Sequence, residues 1–144
     1  MCKLCIHSIF LIFFLVFTPN VFADDTAANF QSAEIEDAVL TLSDNGDYGD
    51  LRFRILNKGF DKITILGVAG IGNEQSTIMA RLDDANYADL GSITLLSEEN
   101  LDMTTSHMFI RLSNIRESLK AGQSIILRLI LSNGELPFSA HIKH

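Results

Sequence analysis

Sulfur and imidazole side chains are the ones in this sequence whose types and spacing could do chemistry. After residue 23 the methionines are Met79, Met103 and Met108, and the histidines are His107, His141 and His144. Met103 and Met108 lie within four residues of His107. Thioether and imidazole donors together suit Cu(I), a soft ion that accepts low coordination number. Methionine is also a common filler of apolar cores, and Met108 lies in a β-type run. The acidic stretch Asp44-Asn45-Gly46-Asp47-Tyr48-Gly49-Asp50 raises calcium, which takes oxygen ligands. Tyr48 stands where an oxygen donor is needed and no glutamate closes the loop, so the stretch reads as a solvated turn. No nucleophile elbow, phosphate-cradling glycine loop or zinc-protease helix motif is present. With one central histidine, no serine triad can be drawn either, and the reading is of a protein that is not an enzyme. At the C-terminus, His141 and His144 read as polar residues of a fraying strand end rather than a second imidazole site.

The elements that would position these groups follow an exported pattern. Lys3, the apolar run Ile9–Phe17 and the segment Val21-Phe22-Ala23 form a signal-peptide arrangement, with cleavage expected after Ala23. The run is too short for a stable membrane span, and no second one follows. Residues 24–33 read as a flexible leader and 34–144 as one β domain. Both cysteines, Cys2 and Cys5, fall in the signal segment, so the processed chain offers no disulfide or thiolate. All 18 acidic residues lie after residue 23, as do all bases except Lys3. That balance excludes nucleic acid and anionic lipid as expected partners. A small, acidic, cysteine-free exported domain is expected in the bacterial periplasm.

From Glu34 onward, short apolar runs alternate with turn residues, which predicts an all-β fold. Strands are expected at Ile35–Leu42, Leu51–Ile55, Ile63–Ala69, Ser92–Leu96, His107–Leu112, Ser124–Leu131 and Leu136–Ile142. Ser76–Leu82 reads as strand or short helix, and Asn114–Gly122 as room for one helical turn. Leu51, Phe53 and Ile55 face one way and Arg52 and Arg54 the other. Ile63–Ala69 is expected to be buried on both faces. Asn45-Gly46 and Asn133-Gly134 are hairpin signals. About eight strands without a core-forming helix predict a single Greek-key sandwich or barrel.

Four pieces of the sequence, in order and spacing, resemble one family. They are Leu51–Asn57 with the Gly59-Phe60-Asp61 turn, Ile65–Val68, His107–Leu112, and Ser118–Ser124. Across Asp50–Ile142 the chain is similar to the periplasmic copper chaperones of the PCu(A)C family. The resemblance implies a cupredoxin-like fold and a copper site made by a first His, a downstream Met and a later His-x-Met. His107 matches the His of His-x-Met, and Phe109 stands at the Met of that motif. Met79 stands at the first His position and Leu90 near the downstream Met. Side chains alternate along a strand, so Met108 points away from a site that His107 and Phe109 face. Met103, in the loop leading into His107, is the better replacement. The resemblance therefore implies a three-coordinate Cu(I) site of Met79, Met103 and His107. Its function would be copper delivery by ligand exchange to an envelope protein such as an oxidase assembly factor. The alternative is a metal-free cupredoxin-like interaction module, with Leu90 and Phe109 in an apolar patch.

Overall fold

Strand β2, Tyr48–Asn57, shows how the residue pattern becomes structure. Its burial alternates without a break: Gly49, Leu51, Phe53, Ile55 and Asn57 point inward, while Tyr48, Asp50, Arg52, Arg54 and Leu56 point outward. The period of two buries one face and solvates the other. The computed structural model describes residues 33–72, 75–115 and 118–144. The expected signal segment 1–23 and residues 24–32 of the expected leader lie outside the described residues; Ala33, the last leader residue, opens strand β1.

The elements in chain order are β1 Ala33–Leu42, β2 Tyr48–Asn57, β3 Ile63–Ala69, β4 Gln75–Arg81, β5 Tyr87–Asp89, β6 Ile93–Leu95, β7 Asn100–Asp102, β8 Met108–Ser113, β9 Ser124–Leu131 and β10 Gly134–Lys143. They form a mixed sheet in the order β5-β4-β8-β2-β1-β10-β9-β3-β6, with β7 attached to β2. The β1–β10 pair is parallel and the other pairs are antiparallel. The sheet curls until β3 touches β4 and β8, which encloses the core. Phe53, Leu40, Leu51, Ile55, Ile65, Ile78, Ile110, Leu112, Leu127 and Leu129 are fully buried there. Each such side chain contributes roughly 1.5–3 kcal/mol by leaving water. The single all-β domain expected from the sequence is the one observed.

Four local expectations change. Ser76–Leu82 resolves as strand β4, because its backbone pairs with β8 on one side and β5 on the other. Two further strands were not expected: β7 lies in the loop leading into His107, and β5 in a stretch read as no element. Asn114–Gly122 carries no helix among its described residues. Leu66 of β3 is 46% exposed, so that strand is not buried on both faces.

One buried polar residue organises the loops beyond β2. Asn57, fully buried, donates from Nδ2 to the carbonyls of Asp61 and Leu96 at 2.8 and 2.9 Å, and its Oδ1 accepts from the Gly59 N–H at 3.1 Å. A buried amide satisfied in this way fixes the two chain segments it joins.

Candidate metal centre

Two strands position the expected donors. In the β4–β8 ladder Met79 stands opposite Phe109, and Ala80 opposite Met108. The Arg81 N–H donates to the His107 carbonyl at 2.9 Å, which extends the ladder by one residue. Residues two apart share a face, so the register sets His107, Phe109 and Met79 on the outer face of the sheet. His107 and Met79 are then diagonal neighbours, a separation of about 7–8 Å that long side chains can span. His107 is exposed and its ring makes no hydrogen bond within the described residues; Met79 is half-buried. Met108 packs from the inner face against the core, with no register shift in this ladder, as alternation predicts.

Met103 sits elsewhere. It is fully buried and belongs to the core cluster with Phe53 and Ile110. Its N–H donates to the Phe53 carbonyl at 3.0 Å. The structure therefore brings Met79 and His107 to one surface and keeps Met103 in the core. Leu90 is 39% exposed at the end of β5, tied by its N–H to the Ile78 carbonyl at 2.9 Å. Among the described residues, no group of three or more His, Cys, Asp or Glu side chains could hold a metal ion. His141 lies on β10, three strands from β8 in the sheet order, with Nδ1 at 3.2 Å from Ser124 Oγ.

The loop from Asp102 to His107 is held firmly. Arg52 Nη1 donates to the carbonyls of Met103, Ser106 and Met108 at 2.9, 2.9 and 3.0 Å. Asp102 Oδ1 accepts from the Thr104 N–H at 2.8 Å and from the Thr104 hydroxyl at 2.5 Å, and Oδ2 accepts from the Thr105 hydroxyl at 3.1 Å. These bonds, the Thr104 hydroxyl first, lower the Asp102 pKa.

Phe109 carries a further surprise. It is fully buried yet takes no part in the core cluster. Its cover is polar and lies on the outer face. The Arg52 and Arg111 guanidiniums lie 5.3 and 5.2 Å from its ring centroid, and Tyr87 meets it edge-on at 5.8 Å. Arg111 also stacks on Tyr48 at 4.6 Å and on Tyr87 at 5.3 Å. Asp50 binds Arg111 through two oxygens at 2.8 and 2.9 Å, a bidentate pair that pushes the Arg111 pKa further up. Arg52, Asp50 and Tyr87 were not identified as site residues from the sequence. The outward alternation of Arg52 and Arg54 was the signal for the first of them; the partner strands were not legible.

The comparisons with known proteins bear on this geometry. No protein-family model matches the chain, and no curated protein matches it. Among solved structures, a copper-bound PCuAC domain from PmoF2 superposes with a TM-score of 0.66 at 16% identity, covering 78% of this chain and 92% of that one. The fold is that of the PCuAC domains. An apo PCuAC domain from PmoF1 gives a TM-score of 0.63 at 16% identity, over 78% and 93% of the two chains. A Cu(I) form of DR1885 from Deinococcus radiodurans gives 0.62 at 17% identity, over 84% and 85%. On this PCuAC fold the outer face of β4 and β8 carries one sulfur and one imidazole. Beside them stands an arginine-capped phenylalanine.

Proposed function

We propose that this protein is a copper-handling carrier rather than a catalyst, holding Cu(I) as cargo on Met79 and His107 at the outer face of β4 and β8. The observation that carries the reading is the β4–β8 register, which makes those two donors diagonal neighbours on an open surface. It is supported by the fold shared with a copper-bound PCuAC domain and a Cu(I)-loaded DR1885. One thioether and one imidazole fit a soft monovalent ion and offer too few nitrogen and oxygen donors for Cu(II). The neighbouring guanidiniums of Arg52 and Arg111 oppose a doubly charged ion more than a singly charged one. His107 presents an unengaged ring, and the Arg52 clamp holds its loop in place. A site this open suits transfer, because an incoming donor reaches the ion before the thioether leaves. The receiver would be an envelope protein, and the signal pattern ending at Ala23 supports export to the periplasm.

The test is a Cu(I) competition titration against a chromophoric chelator. One-to-one uptake that is lost in His107→Ala and in Met79→Leu, and kept in Met103→Leu, is the expected result. Absence of uptake beyond the chelator's background overturns it. That outcome would favour the second reading, a metal-free interaction module. The observation behind that alternative is Phe109, sealed beneath two arginines at a position where the resemblance expects a ligand.

A further inference from the structure

Both Asn-Gly pairs of this sequence, Asn45-Gly46 and Asn133-Gly134, lie at turns, the first joining β1 to β2 and the second β9 to β10. The pair has a chemistry of its own. Glycine has no side chain to shield its main-chain nitrogen, and asparagine is among the thermally labile residues. On losing its proton to solvent base, the glycine nitrogen attacks the asparagine Cγ. The Cγ–Nδ2 bond breaks, ammonia leaves, and a succinimide ring remains. Water then adds to either ring carbonyl and opens the ring, which gives aspartate or isoaspartate. The net change is one amide and one water to one carboxylic acid and one ammonia, so nothing is oxidised or reduced.

Exposure does not separate the two sites, since Asn45 and Asn133 both face solvent. Their main chains are alike as well. The Gly46 N–H donates to the Ser43 carbonyl at 2.9 Å, and Gly134 closes the β9–β10 ladder opposite Leu131. The side chains differ. Asn45 Oδ1 accepts from the Ser43 hydroxyl at 2.8 Å and from the Asp47 N–H at 3.4 Å, and its Nδ2 donates to Asp47 Oδ2 at 2.6 Å. Swinging Cγ onto the Gly46 nitrogen breaks that set. No hydrogen bond within the described residues holds the Asn133 amide. Charge adds to the contrast. Asp44 and Asp47 flank the Asn45-Gly46 pair and oppose both the deprotonated nitrogen and the oxyanion formed on attack. Beside Asn133-Gly134 the carboxylate is Glu135, and Arg128 pairs with it at 3.3 Å.

We propose that Asn133 is a site of spontaneous modification, converting to aspartate and isoaspartate in the folded protein, while the hydrogen bonds of the β1–β2 turn protect Asn45. The only co-reactant is water. The isoaspartyl product routes the main chain through its own Cβ and so lengthens, by one carbon, the turn of Ser132 and Asn133. That turn sets the β9–β10 register from Leu131–Gly134 to Ser124–His141. Ageing therefore acts on the hairpin whose second strand closes against β1. This inference does not depend on copper.

The test incubates the purified protein in mildly alkaline buffer and digests samples at intervals. Mass spectrometry follows the two Asn-Gly peptides, and chromatography separates aspartyl from isoaspartyl forms. The expected result is conversion at Asn133 about fivefold faster than at Asn45, the ratio that one net hydrogen bond of ordinary strength supplies. Asp47→Ala removes the acceptor of Asn45 Nδ2 and one flanking charge, and should speed Asn45 severalfold while leaving Asn133 unchanged. In guanidinium strong enough to unfold the chain, the two rates should converge. Asn133→Gln, whose longer side chain would have to close a larger ring, should leave that peptide unmodified. Equal rates in the folded protein, or a faster Asn45, overturn the proposal. So does a difference that persists in guanidinium, or an Asp47→Ala variant whose Asn45 is no faster.

Discussion

Arg52 is the residue whose loss should be felt most widely around the candidate centre. One nitrogen, Nη1, serves three carbonyls, those of Met103, Ser106 and Met108. It has two hydrogens, so one of them is shared and the set is equivalent to about two full bonds from a charged donor. Each such bond contributes about 1.5 kcal/mol at the lower end of the usual range. The stacking of the guanidinium on Phe109 adds about 0.5–1 kcal/mol. Arg52→Met keeps much of the aliphatic stem and removes the donors, so the expected loss is about 3 kcal/mol. In urea, with a slope of about 1.5 kcal/mol/M, the unfolding midpoint should fall by about 2 M. Arg52→Lys retains the charge but not the planar fork, and should recover less than half of the loss. Amide exchange of residues 103–108 should quicken more than that of β9, on the far side of the sheet. A midpoint shift below about 0.5 M in Arg52→Met would refute the clamp. Uniform loss of protection across the sheet would refute its local character.

Three further outcomes follow from the same geometry. Phe109→Met places a second thioether beside Met79 and His107, and should tighten Cu(I) about tenfold in the chelator titration while lowering the thermal midpoint, because the stacked ring is lost. Gly67, at φ +156° in a bulge of β3, would carry a Cβ 2.7 Å from the Ser76 hydroxyl that accepts the Val68 N–H at 2.8 Å; Gly67→Ala should cost about 1–3 kcal/mol, read as a lowered urea midpoint. The Asp102 pKa is held down in the folded protein, so its contribution is present above the unfolded value and is lost as pH falls through the lower folded one. Stability should therefore drop below about pH 4, and Asp102→Asn should flatten that part of a urea-midpoint profile.

Much of the fold was legible because side-chain alternation writes itself into sequence. Leu51, Phe53 and Ile55 against Arg52 and Arg54 announced β2 and its orientation. Gly46, at φ +75°, fulfils the Asn-Gly signal between β1 and β2. β5 and β7 were invisible for the opposite reason. Tyr-Ala-Asp and Asn-Leu-Asp have little strand propensity, and main-chain pairing with longer neighbours makes them strands. The candidate centre was half legible. Alternation placed Phe109 with His107 and turned Met108 to the other side. Met103 looked mobile because Glu98, Glu99, Asn100 and Asp102 precede it. It and Leu101 are the apolar residues of a polar stretch, and the core takes Met103 fully while Arg52 fastens the carbonyls around it. No local pattern could reveal that Phe109 is buried by guanidiniums, since Arg52 and Arg111 reach it from different strands.

The parallel contact between β1 and β10 has a consequence for when this protein can exist as a folded object. Val39, Leu40 and Thr41 find their partners in His141, Ile142 and Lys143. The middle of the sheet is thus stitched from the two extremes of the described chain, and β1 holds one open side until β10 arrives. Folding dominated by such distant pairings is slow, and a chain still being made cannot finish it. A chain still being made thus lacks the contact that joins the two halves of its sheet until β10 has been added.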